Sequence, residues 1–181
     1  MTTDETNGGV ESNAQRPGET NLTVEAGTHE LSISRHFDAP RDRVFEANVN
    51  PEHIPKWWGP RRYTTEVETM DARPGGSWRF LNIDADGNEH AFHGVYHDVV
   101  PAERIVQTFE YEGAPGHVSM ETATFEEVDG MTLLTVRSVF QSVADRDASV
   151  ASGMEAGARE TWDRLAELVE GKATAHEEVD A

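Results

Sequence analysis

Cysteine is absent from all 181 residues. That excludes disulfides, thiolate zinc sites and cysteine nucleophiles together. Lysine is almost absent as well: Lys56 and Lys172 are the two lysines among 15 basic residues, against 34 acidic ones. A formal charge of -19 predicts a surface that repels nucleic acid and anionic membranes, so neither is expected as a partner. Carboxylates in such excess suit a medium of very high salt, where screening shrinks their mutual repulsion and their hydration maintains solubility. No apolar run approaches the length of a membrane span, and the N-terminus is acidic and polar rather than a signal peptide, which predicts a soluble, cytoplasmic protein. The chain also lacks a P-loop, a dinucleotide fingerprint, a His-Glu-x-x-His pair and a nucleophile elbow, so no cofactor is implied.

What is present reads as one domain with tails. Residues 1–25 hold almost no large apolar side chains and are expected to form a disordered acidic tail; residues 172–181 read the same way. The domain between them, 26–171, still carries 26 acidic residues against 13 basic ones, a balance of -13. Alternation of Leu31, Ile33, Arg35 and Phe37 with polar neighbours predicts a strand over 30–37. A helix over 41–48 follows, with Pro40 at its start, Asp38 as a candidate cap, and Val44 and Phe45 inward. A short helix over 52–58 ends at Gly59-Pro60. Six further strands are predicted over 63–71, 77–83, 90–99, 105–111, 118–128 and 131–140. Turn signals separate them, which makes them an antiparallel meander.

The last long pattern is an amphipathic helix over 142–170. Val143, Val150, Met154, Ala158, Trp162, Leu165 and Val169 form its apolar stripe. Ser142 or Asp145 can cap its start, and Gly171 stands where a left-handed C-cap is wanted. The fold class is α+β, with the sheet curled around that helix.

The order of several motifs is specific. Phe37-Asp-Ala-Pro-Arg is followed by Val44-Phe45, Pro51-Glu52-His53 and Trp57-Trp58-Gly59-Pro60. Then come Asp71-Ala-Arg73-Pro-Gly-Gly76, Gly94-Val-Tyr96, Pro101-Ala-Glu-Arg-Ile105 and Gly153-Met154-Glu155-Ala-Gly157. In this combination the chain resembles, over about residues 30–170, the branch of the SRPBCC superfamily named for the activator of heat-shock-protein-90 ATPase homologue. The resemblance implies a helix-grip fold: a curved antiparallel sheet wrapped around a long C-terminal helix, with a mainly apolar cavity between them. Members of that superfamily mostly bind hydrophobic small molecules, while some are cyclases, hydrolases or chaperone partners. Fold therefore follows more firmly than activity.

Strand alternation nominates the cavity's lining. Trp78 and Phe80 share one strand face, Phe92, Gly94 and Tyr96 a second, Gln107 and Phe109 a third, and Glu121 points inward from a fourth. Met154, Gly157, Ala158 and Trp162 would face them from the helix. Trp57 and Trp58 close one end, one as a core anchor and the other as a gate. Two features favour a cavity over plain core. Gly94 and Gly157 remove side chains from opposed surfaces, leaving either close contact or room for a ligand. Gln107 and Glu121 are polar on otherwise apolar faces and want partners. Asp71 and Arg73 flank the Gly-Gly bend and are expected to hold that turn as an ion pair. His90, His93 and His97 do not form a metal site, because residues four apart on a strand are about 13 Å apart. The expected function is therefore binding of a hydrophobic small molecule, without catalysis, metal or cofactor. The alternatives are an enzyme that uses Glu121 in the same cavity, and a chaperone-associated module needing an exposed apolar patch; no sequence feature supports a protein partner.

Overall fold

The computed structural model describes residues 17–171. The chain begins with β1 (Asn21–Val24) and β2 (Glu30–Phe37), then α1 (Arg41–Val49) and α2 (Ile54–Trp57). A meander follows through β3 (Thr64–Met70), β4 (Ser77–Ile83), β5 (Glu89–Val100), β6 (Arg104–Tyr111), β7 (Val118–Val128) and β8 (Met131–Val139). Helices α3 (Val143–Ala151) and α4 (Met154–Glu170) complete it. All neighbouring strands are antiparallel, in the order β1-β2-β8-β7-β6-β5-β4-β3. This is the α+β helix-grip architecture that the sequence predicts. Bulges between Val67 and Thr69 and between Tyr96 and Asp98 break the ladder. Bulges bend strands and increase their twist, which helps the sheet curl.

The core lies between the concave face of the sheet and the helices. On β2 the buried positions are Leu31, Ile33, Arg35 and Phe37, in strict alternation. Helix α4 buries Trp162, Leu165, Ala166 and Val169, and the Trp162 ring meets Phe37 edge-on at 6.0 Å. Each such large apolar side chain contributes about 1.5–3 kcal/mol on burial. From α1, Phe45 packs edge-to-face on Phe125 at 5.3 Å. Arg35 is a charged residue among these buried positions. A buried charge is tolerated when paired, and its guanidinium donates to Asp163 on α4 at 2.6 Å and to the Thr20 hydroxyl at 3.2 Å.

Four local expectations change. First, the predicted helix over 142–170 is two helices. Ser142 does cap α3, its hydroxyl accepting from the Asp145 N–H at 3.0 Å. Gly153, however, adopts φ +84°, the left-handed conformation that ends a helix, and α4 restarts beyond it. Val143 is consequently exposed rather than part of the buried stripe. Second, Gly171 has φ -53° and ψ 125°, so it is not a left-handed cap. Third, Asp38 does not cap α1, whose N-cap is Pro40; the Asp38 N–H instead donates to Glu170 Oε1 at 3.0 Å.

Fourth, the tail expected through residue 25 contains the ordered edge strand β1. It pairs with β2 from Asn21↔Ser34 to Val24↔Leu31. Arg159 donates to the Thr20 carbonyl at 2.6 Å, and Arg146 to the Glu25 carbonyl at 3.0 Å. This four-residue strand is held by backbone pairing, by distant arginines and by Leu22, which packs against the core. The remainder of that tail, 1–16, and the C-terminal residues 172–181 lie outside the described residues.

The bend at 73–76 has the expected ion pair, Asp71 to Arg73 at 2.9 Å, but both side chains are exposed. Exposed pairs contribute little. Backbone bonds hold this turn: Arg73 N to Asp71 O, Gly76 N to Arg73 O, and Gly75 N to Tyr96 O, each at 2.8 Å.

Candidate functional site

The sheet's concave face is organised in rows that cross the strands. One row runs Ile105, Ala123, Val136 and Ile33 on β6, β7, β8 and β2. The next runs Tyr96, Gln107, Glu121 and Ser138 on β5 through β8. Beyond it stands Phe109 on β6. Because side chains alternate along each strand, these rows share one face, and a polar row is set between apolar ones.

Between this face and α4 lies a cavity of about 360 Å³. From α4, Met154, Gly157, Ala158, Thr161 and Trp162 line it; from α2 and the loop after it, Ile54, Trp57, Trp58, Gly59 and Pro60. The sheet contributes the two inner rows with Phe80, Asn82, Phe92, Phe109 and Leu134, and α1 contributes Asn48. Of the residues nominated from the sequence, Trp57, Trp58, Phe80, Phe92, Tyr96, Gln107, Phe109, Glu121, Met154, Gly157, Ala158 and Trp162 come together around this space.

Trp78 and Gly94 do not line it. Trp78 is buried in the sheet wall beside Phe80, at a ring separation of 4.8 Å. A Cβ on Gly94 would stand 1.9 Å from the Thr108 carbonyl oxygen and 2.6 Å from Trp78 Nε1. Gly94 thus permits close approach of backbone and indole. Gly157 is the opposite case: the nearest atom to an added Cβ is Pro60 Cγ, at 3.7 Å.

The two adjacent tryptophans have different surroundings. Trp57 is buried, and its Nε1 donates to the Ala47 carbonyl at 2.8 Å, which ties α2 to α1. Trp58 is half-buried and packs edge-on against Phe80 at 5.3 Å and Phe92 at 5.2 Å. The loop that carries it is held to α4. Arg164 donates to the Gly59 carbonyl at 2.7 Å, the Arg61 N–H donates to Glu160 at 2.9 Å, and Arg61 pairs with Glu167.

Glu121 is the one carboxylate in the lining. Its Oε2 accepts from Gln107 Nε2 at 3.3 Å and its Oε1 from the Ser138 hydroxyl at 3.5 Å. Burial disfavours the charged form and raises its pKa, while these two hydrogen bonds act in the opposite direction. Tyr96 is raised too, by burial and then by the charge of Asp71. The lining holds no Lys, Arg or His to offset an ionised Glu121. It therefore offers a metal one carboxylate and no imidazole, and no cluster of three potential ligands occurs among the described residues. His93 belongs to a separate network, with Nε2 3.1 Å from Glu110 and Nδ1 3.0 Å from Glu112.

Sequence patterning did not nominate Asn48, Ile54, Gly59, Pro60 and Thr161. All five lie on helices or in the loop after α2, where no period-two alternation applies. Ile33 does lie on an alternating strand, so its inward phase was a usable signal.

Among the described residues, no helix is long and apolar enough to cross a membrane. No curated protein matches the chain. Many solved structures share its fold. Protein Ms6760 from Mycobacterium smegmatis is 24% identical with a TM-score of 0.76, covering 85% of this chain and 98% of that one. Protein CV1439 from Chromobacterium violaceum is 28% identical with a TM-score of 0.71, covering 78% and 97%. CalU16 from Micromonospora echinospora is 23% identical with a TM-score of 0.55, covering 84% and 86%. Residues 38–170 match the family described as Activator of Hsp90 ATPase homolog 1-like protein, and the chain belongs to that family.

Proposed function

We propose that the protein binds a hydrophobic small molecule in the cavity between the sheet and α4, without transforming it. One observation carries this reading: a space of about 360 Å³ lined mostly by aromatic and aliphatic side chains, with Gln107, Glu121 and Ser138 forming one polar row across it. Small-molecule sites have this size and this balance of apolar wall and placed polar groups. The force for binding is burial of apolar ligand surface, and the polar row orients the ligand.

A catalytic reading has less to draw on. General acid–base chemistry at neutral pH works best with groups whose pKa values lie near the operating pH. The lining supplies Glu121 and Tyr96 as its titratable side chains, and Tyr96 is raised away from that range. A chaperone-type partner would call for a contiguous apolar patch. Among the described residues, the exposed large apolar ones, Val24, Val95, Met120 and Val143, lie on four different elements. The -13 balance over 26–171 fits a cytoplasm of high ionic strength.

The test is a titration with N-phenyl-1-naphthylamine, a neutral apolar fluorophore. Saturable one-site binding, with energy transfer from Trp58 and Trp162, is the expected result. An Ala158→Trp variant that melts like the parent should lose it. Absence of saturable binding by the parent would overturn the proposal.

A further inference from the structure

Within the cavity, the polar atoms are not equally available. Asn48 Nδ2 already donates to the Val44 carbonyl at 2.8 Å. The Asn82 amide stands 2.9 Å from the Thr65 hydroxyl. The row Gln107, Glu121, Ser138 is different, because its hydrogen bonds converge on one carboxyl group. Both outer members direct a donor at Glu121, yet at 3.3 and 3.5 Å both bonds are long. A carboxyl group has sites for about four hydrogen bonds, so two long ones leave it with unused capacity facing the cavity.

The charge state follows from what surrounds this group. An ionised carboxylate away from water requires a cation or several short donors. No cation lines the space, and the two neutral donors are distant. With no cation and two long bonds beside it, this half-buried carboxyl group favours its uncharged form, the direction in which burial moves it. A protonated Glu121 keeps acceptor capacity for Gln107 and Ser138 while its own O–H is free to donate to a third partner.

Resting on the binding reading above, we propose that the cavity selects apolar molecules with one uncharged oxygen function, a hydroxyl or a ketone, seated against Glu121, and rejects those ending in a carboxylate. A ketone or alcohol oxygen accepts from the carboxyl O–H, and an alcohol can also donate back. A carboxylate end would bring a full negative charge beside Glu121 with no cation to receive it. An ammonium end would require Glu121 to be ionised before it could pair. The hydrocarbon remainder lies along the apolar rows, between Phe109 on one side and Ile105 on the other.

The experiment displaces N-phenyl-1-naphthylamine from the full-length protein at pH 8 with 1-octanol, 2-octanone, octanoate and octylammonium. These four share a similar chain and differ at the polar end. Octanol and octanone are expected to displace the probe at least tenfold more strongly than octanoate or octylammonium. Glu121→Gln retains an uncharged donor at this position and adds no cation, so the preference for octanol over octanoate should persist within threefold. In Glu121→Leu, octanol should bind about tenfold more weakly; thermal melts check that both variants are folded. The four-ligand comparison on the parent stands even if neither variant folds. Equal displacement by all four would overturn the selectivity while leaving binding intact. Tightest binding of octylammonium would overturn it by showing an ionised carboxylate. No binding of the probe at all would overturn the binding reading on which the selectivity rests.

Discussion

Gly157 on α4 lies beside Pro60 at the cavity wall, with Pro60 Cγ 3.7 Å, an ordinary van der Waals distance, from where a Cβ would stand. Gly94 on β5 is the reverse, because its Cβ would meet the Thr108 carbonyl oxygen at 1.9 Å. The two glycines therefore predict opposite mutational signs. Gly157→Leu places its side chain into the cavity, where burial is worth about 1.5–3 kcal/mol, and removes a residue about 1 kcal/mol poorer than alanine in a helix. Stability should hold or rise by about 1 kcal/mol while N-phenyl-1-naphthylamine binding falls at least tenfold. Gly94→Ala forces a methyl against backbone and the Trp78 indole, which costs about 1–3 kcal/mol or more. Urea melts of both variants check this, and a destabilised Gly157→Leu would mean that helix and sheet already touch there.

The contrast between these glycines also marks the limit of sequence reading. Both interrupt an apolar pattern, and pattern alone cannot say whether a missing side chain leaves room for a ligand or for a neighbouring main chain. Strand phase was far more legible. Gln107 and Glu121 read as inward because they fall two residues from Ile105 and Ala123, and no bulge in β7 shifts that phase. Gly153 was not legible as a break, because the apolar spacing of α4 continues across it; its left-handed conformation divides the helix. Nor did Pro60 carry a signal. It reaches the cavity because Arg164 and Glu160, about a hundred residues later, hold its loop. The short strand β1 depends in the same way on Arg159 and on pairing with β2.

That dependence makes β1 a contributor to stability in spite of its composition. A chain beginning at Ala26 would lose the Asn21–Val24 ladder and leave Arg35, buried in the core, without its bond to the Thr20 hydroxyl. A net hydrogen bond contributes about 0.5–1.5 kcal/mol, and an unsatisfied buried donor costs about 1–3 kcal/mol. The truncation should therefore destabilise the domain by at least about 1 kcal/mol. Thr20→Val should reproduce part of that loss. Denaturant melts within about 0.5 kcal/mol of the full chain would show that β1 is dispensable.

Charge predicts a dependence on salt. Residues 26–171 carry 26 acidic groups against 13 basic ones, and their net repulsion opposes compaction when screening is weak. The Debye length shrinks from about 30 Å at 0.01 M to about 3 Å at 1 M salt. The melting temperature should accordingly be lower at tens of millimolar sodium chloride than at molar concentration. For a domain of this size, 1 kcal/mol reads as about 2–4 °C. A melting curve that does not move across that range would remove the case for a high-salt setting.

Glu121 predicts a pH dependence of the opposite sense to that of most carboxylates. Its pKa is raised above the usual 4.5, by burial first, with the bonds from Gln107 and Ser138 opposing. Between the usual value and the raised one, the folded chain retains a proton that the unfolded chain has released. Stability from this group is therefore complete below about pH 4.5 and declines as pH rises through that window, by at most about 1.4 kcal/mol per pH unit. Above the raised value it declines no further. Glu112 has the reverse sign: Arg79 is the main cause that lowers it, to about 2, so its contribution is present above the usual value and lost in strong acid. Glu112 is common to the parent and to Glu121→Gln, so it cancels in their difference. Urea melts of both proteins from pH 4 to pH 8 should show the parent losing stability relative to Glu121→Gln as pH rises. A difference that stays flat, or grows in favour of the parent, would mean that Glu121 ionises as an ordinary surface carboxylate does. Octanoate would then meet a charge already accommodated in the cavity, and the preference for an uncharged ligand end would lose its physical basis.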